Sequence, residues 1–138
     1  MFNVLTAINW LSVLVAFVAY FLLGALWFTV LFNRPYRISL GRGQAVQQKP
    51  APIFIVGPAL CSLVITVASA VLLYALKIES YANALLFTGL IGFGYLFANT
   101  VNMAINPNIP RPLLYGLISG AYHLTGMLIV SLILVAMK

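Results

Sequence analysis

The chain carries one histidine, His123, one acidic residue, Glu79, and one cysteine, Cys61. They stand on separate segments, so they offer no nucleophile, base and acid in reach of one another, and a lone carboxylate excludes paired acid–base chemistry. No enzymatic activity is expected. A zinc centre needs about four nitrogen, sulfur or oxygen ligands, and hard cations need several carboxylates. Neither a metal nor another cofactor is therefore expected.

Hydrogen-bonding chemistry is what remains. Asn99, Asn102 and Asn106 are spaced i, i+3 and i+7, which puts them on one face of a helix. Gly116, Ser119, Gly120, Tyr122, His123 and Gly126 cluster on one side of the next. An imidazole with amides and a phenol suits a neutral solute, or a neighbouring helix, far better than catalysis. Asn99, Asn102, Tyr122 and His123 are accordingly the candidate ligand-binding residues. An ionisable group within a membrane-crossing segment defaults to a functional role, which singles out His123. The competing reading is that Tyr122 and His123 only hydrogen-bond a facing helix, for instance the asparagine face of the third.

The elements that must position these residues are apolar runs. With 64% hydrophobic and 6% charged residues and a mean hydropathy of +1.11, the chain has too little polar surface to cover a water-soluble globule. Runs at roughly 4–32, 51–76, 81–105 and 112–137 carry none of Asp, Glu, Lys or Arg, and Arg111 falls just before the last. Each exceeds the roughly 20 residues that cross a hydrocarbon core. The expectation is an all-α polytopic membrane protein, with four transmembrane helices in an up-down bundle forming a single domain over 1–138. The start, MFN, lacks a basic region, so the first run is expected to be retained rather than cleaved. Cys61 lies within the second run and is expected to be a small buried thiol.

The net charge of +6 follows membrane insertion rather than nucleic-acid binding. Arg34, Arg37, Arg42 and Lys49 lie in the first connection and Arg111 in the third, whereas Lys77 and Lys138 fall on the other side. The positive-inside bias puts the basic connections in the cytoplasm and both termini outside, in a plasma (inner) membrane. The same five residues are candidates for contact with anionic lipid, worth about 1 kcal/mol each. Trp10 and Trp27 stand 17 residues apart. At helical rise that is roughly 25 Å, the separation of two aromatic belts.

Asn33-Arg34-Pro35 is expected to end the first helix, because proline disfavours helix in the residue before it. The polar segment from Arg34 to Pro50, with Gln44, Gln47 and Gln48, reads as a surface loop. Its alternative is a basic amphipathic turn built on Tyr36, Ile38 and Leu40. Pro58 should kink the second helix or free a carbonyl. Three prolines between Asn106 and Pro112 make a stiff turn, so the third and fourth helices should be an antiparallel pair. Gly89, Gly92, Gly116 and Gly120 offer small faces for helix packing, within the chain or in a homo-oligomer.

Asn9-Trp10 before a first helix that closes with Gly24-Ala25-Leu26-Trp27-Phe28, and Gly120-Ala121-Tyr122-His123-Leu124 before an apolar tail, are distinctive. In these residues the chain resembles the domain of unknown function 1761 family, small and mostly bacterial four-helix membrane proteins. The resemblance implies fold and topology and carries no activity. The chain departs from the family in a first loop that is short and purely basic. The expected function is a homo-oligomer with a polar intramembrane face for a small solute or ion, channel- or transporter-like. Its rival is a non-catalytic membrane subunit or scaffold whose polar and glycine faces hold helices together.

Overall fold

The computed structural model describes residues 2–45 and 49–138, so Gln47 and Gln48 of the first connection lie outside the described residues. Within them every regular element is helical. Four helical stretches are long and apolar enough to cross a membrane: Trp10–Leu31, Ile53–Ala75, Tyr81–Ala104 and Pro112–Ala136. In hydrocarbon the backbone must satisfy its own polar groups, and a helix does so within one segment. Large apolar side chains such as Leu22, Phe54 and Leu86 point outward, as a lipid-solvated surface requires.

The first span does not begin at Val4 but at α1, Trp10–Leu26, after a short 3-10 turn at Phe2–Thr6. Asn9 sets the boundary: it is extended, and its Oδ1 accepts from the amides of Leu11 and Ser12. Such a cap satisfies donors that a helix start leaves open. Beyond Leu26 the helix widens into a π turn at Trp27–Leu31 and breaks at Phe32, whose φ of −120° and ψ of 18° leave the helical region.

The first helix ends just before Asn33-Arg34-Pro35, as expected, but Pro35 does not begin a loop. It sits in the first turn of a second helix, α2 at Asn33–Ser39, where a missing N–H costs little. The first part of the supposed loop is thus a packed helix. Tyr36 lies with its ring 4.8 Å from that of Phe28 and 5.6 Å from that of Tyr115.

The second span, α3 at Ile53–Ala75, runs through Pro58 as one continuous helix. The third is composite: α4 at Tyr81–Phe87, a π stretch at Thr88–Phe97, and α5 at Ala98–Ala104. The π stretch contains Gly89, Gly92 and Gly94, and nothing in the sequence periodicity announces it. The fourth span is α6, Pro112–Ala136, which opens on proline.

α6 is the hub. Half of its most apolar window is buried, against 17–22% for the other three spans. It packs against α1, α3 and the third span, and α1 also packs against α3. The second and third spans barely touch, which leaves a cleft between them with α6 as its floor.

Two groups of contacts hold the ends. At one, the amide of Arg111 donates to Ser39 O at 3.2 Å, and Gly41, at a φ of 70°, lies against Pro110. At the other, Asn9 Nδ2 donates to Met137 O at 2.6 Å, and the Asn9 amide donates to the Tyr74 hydroxyl at 3.1 Å. Lys138 joins this end, donating to Ile78 O at 2.9 Å with its ammonium 3.9 Å from Glu79.

Candidate functional site

The interior is organised by two tyrosines on facing helices, each laid over a glycine of the other. A Cβ on Gly126 of α6 would overlap the Cε2–Cδ2 edge of the Tyr20 ring, and one on Gly24 of α1 would come within 2.9 Å of the Tyr122 hydroxyl oxygen. The rings themselves are 5.2 Å apart. Close approach of this kind needs glycine, since any side chain would hold the backbones away. Trp27 adds a direct tie, its Nε1 donating to Ile118 O at 3.1 Å.

This frame carries His123. The Tyr20 hydroxyl lies 2.6 Å from His123 Nδ1, a bond between residues on the first and last spans. The expected partner for the imidazole was the asparagine face of the third span. The structure supplies a phenol from the first instead. A tyrosine in mid-span must find a partner for its hydroxyl, and that requirement was the one signal in the sequence pointing to Tyr20.

The imidazole also faces the cleft. A cavity of about 400 Å³ is lined by Ile65 of α3, by Tyr95, Leu96, Asn99, Thr100 and Met103 of the third span, and by His123. Among the described residues, Ser119 Oγ is the only buried side-chain polar atom without a partner. His123 lines the cleft, and with Nδ1 turned to Tyr20 its Nε2 is the ring nitrogen left to serve it.

Of the four candidate ligand residues, the cleft brings together His123 and Asn99. Tyr122 lies behind them, buried between α1 and α6. Asn102 is exposed outside the cleft. Successive helical residues turn by about 100°, so Leu96, Thr100 and Met103 lie to one side of Asn99 and Asn102 lies to the other. Asn99 and Asn102 share a face of α5, whose edge alone meets the cleft, but Asn106 does not join them, because the helix ends at Ala104 and Asn106 lies in the turn beyond. Asn106 works locally: its Nδ2 donates to Met103 O at 2.7 Å, and its Oδ1 accepts from the Asn108 amide at 2.9 Å.

The packing glycines divide in the same way. Added Cβ atoms would press on Val101 and Ala104 at Gly116, on Phe97 at Gly120, and on Leu124 and Met127 at Gly92. Those three therefore join the third and fourth spans within one chain. At Gly89 an added Cβ meets nothing within 4 Å. Cys61, expected to be buried, is exposed on the outer face of α3, because lipid is as hospitable to a thiol as the interior is. The basic residues gather at the end marked by Ser39 and Arg111. Arg34, Arg42, Lys49 and Arg111 are exposed, whereas Arg37 is half-buried and donates to the carbonyls of Arg42 and Ala45.

The family described as "Protein of unknown function (DUF1761)" matches residues 11–135, nearly the whole chain. The chain belongs to that family. The match takes in Tyr20 and Gly24 of α1, Trp27 of the π turn, and Gly120, Tyr122, His123 and Gly126 of α6, so the reciprocal tyrosine–glycine contact lies wholly within the family's extent. No curated protein and no solved structure matches the chain.

Proposed function

We propose that the chain is a multi-pass protein of the plasma (inner) membrane that binds a small amphipathic solute in the lateral cleft and performs no reaction on it. The observation that carries this reading is the position of His123. It is the one imidazole within the spans, it is held by Tyr20 through Nδ1, and it lines a cavity between two helices. A volume of about 400 Å³ lies within the range of small-molecule sites, roughly 300–1,000 Å³. A gap between spans admits molecules already dissolved in the bilayer.

The spans run up and down, with the basic connections in the cytoplasm and both ends of this chain outside. The grouping of Arg34, Arg42 and Arg111 at one end and of Lys138 with Glu79 at the other supports that orientation. At the cytoplasmic end the exposed basic residues meet anionic head groups.

Proteoliposomes loaded with a panel of labelled amphiphiles test the reading. A solute whose retention or flux falls in both His123→Ala and Asn99→Leu is expected, and a panel in which no solute responds to either change refutes it. A second reading, a membrane subunit or homo-oligomer, draws on Gly89 and Gly94, where an added Cβ meets nothing within 4 Å. Cross-linking through cysteines at these positions would reveal a second copy, and monomers alone would remove that reading.

A further inference from the structure

We infer that the cleft is built for a neutral, lipid-soluble molecule bearing a carbonyl oxygen, held by His123 Nε2–H and the Asn99 carboxamide, with Tyr20 as the residue that positions the imidazole. The inference rests on the cleft being a binding site and names the chemistry it selects.

The tautomer decides the chemistry. The Tyr20 hydroxyl is fully buried, and its hydrogen bond runs to His123 Nδ1. The Tyr20 hydroxyl has a second neighbour in the Tyr122 phenol. If Nδ1 donated, the Tyr20 proton would turn to Tyr122, whose own proton would then lack an acceptor in the core, where an unpartnered donor is costly. The phenol therefore donates, Nδ1 accepts, and the imidazole proton resides on Nε2. His123 lines the cleft, and Nε2–H is the donor it has left to offer there.

The remaining lining narrows the ligand. Thr100 Oγ1 donates to Leu96 O at 2.7 Å, so its proton is engaged. The Asn99 amide touches only the Met103 sulfur, at 3.7 Å, a weak contact that a better acceptor displaces. The two donors thus stand free for an oxygen, and Ile65, Leu96 and Met103 leave an apolar surround for a ring or chain. Among the described residues no charged side chain lines the cleft, which disfavours an ionic ligand. A quinone and an acyl ester share the required carbonyl.

His123 is the only histidine, so histidine labelled with nitrogen-15 gives one imidazole to observe by magnetic resonance. The full chain is placed in nanodiscs of ether-linked phosphocholine, which bring no acyl carbonyl. The expected spectrum shows a proton on Nε2 and none on Nδ1. A benzoquinone with a decyl tail should move the Nε2 signal, and Asn99→Leu, at an exposed position, should weaken that effect about three- to tenfold. Tyr20→Phe should mix the tautomers and weaken the same probe. Exchange to diacyl lipid distinguishes an ester ligand, which would move Nε2 without added quinone.

A proton on Nδ1 overturns the inference. So does a decylamine probe that binds while the carbonyl probes do not, an outcome that leaves the cleft standing as a binding site. If no probe moves the imidazole signals, both the carbonyl chemistry and the binding site fall.

Discussion

Replacing Gly126 by alanine tests the packing on which the site depends. The new methyl would coincide with the Cε2 and Cδ2 side of the Tyr20 ring, and Tyr20 has no exposed surface through which to retreat. Overpacking of this kind costs about 1–3 kcal/mol. Alanine returns about 1 kcal/mol through its higher helix propensity. Because the clash is with ring carbons rather than a flexible tip, the upper part of the range applies, and the net loss should be ~2 kcal/mol. Unfolding in mixed micelles by titration with a denaturing detergent measures the change. Gly89→Ala is the control, since its methyl meets nothing within 4 Å, and it should be neutral or slightly stabilising. In a Tyr20→Leu background Gly126→Ala should lose most of its effect, giving a coupling of about 2 kcal/mol in the double-mutant cycle. The reasoning fails if Gly126→Ala is as stable as Gly89→Ala, or if its loss is the same with and without the Tyr20 ring.

Asn9→Ala removes both the α1 cap and the bond to Met137 O, and should destabilise by about 1–2 kcal/mol in the same titration. Single cysteines at Gln44 and Ser80, both exposed, in a Cys61→Ser background should react with an impermeant thiol reagent from opposite sides of the membrane. Labelling of position 44 from outside would reverse the orientation. Burial, and then the neighbouring Tyr115 phenol, pushes the Tyr36 hydroxyl up to about 12. The raised value favours the folded state below about pH 10, the ordinary tyrosine value, and that contribution is lost as pH climbs towards 12. The ultraviolet phenolate signal lost in Tyr36→Phe should therefore titrate near the top of that window, and a midpoint near 10 would contradict the packing of α2.

What could be read in advance was what the solvent dictates. Hydrocarbon leaves the backbone no partner but itself, so the long uncharged runs had to be helices, and the four spans lie where the hydropathy puts them. The basic residues divide between two ends in the structure as they do along the chain, because charge resists entering lipid wherever the fold places it. Asn9 was visible as the residue before the first helix, though its role as a cap emerged only with the extended backbone at that point.

Which way each helix faces was a different matter. In water an apolar stripe marks the inside, but lipid is as apolar as a protein core, so the spans carry no such contrast. Hydropathy could not show that Cys61 faces out, that Asn102 misses the cleft while Asn99 enters it, or that Gly116 and Gly120 meet the third span. The π stretch at Thr88–Phe97 turns less per residue than an α-helix and so shifts the phase of the asparagines beyond it. The hydrogen bond between Tyr20 and His123 joins residues at opposite ends of the chain. Composition and spacing determined that four helices would be long and apolar enough to cross a membrane and that one imidazole would lie among them. The packing of α1 on α6, glycine under tyrosine in both directions, decided which phenol that imidazole meets and which nitrogen it leaves for the cleft.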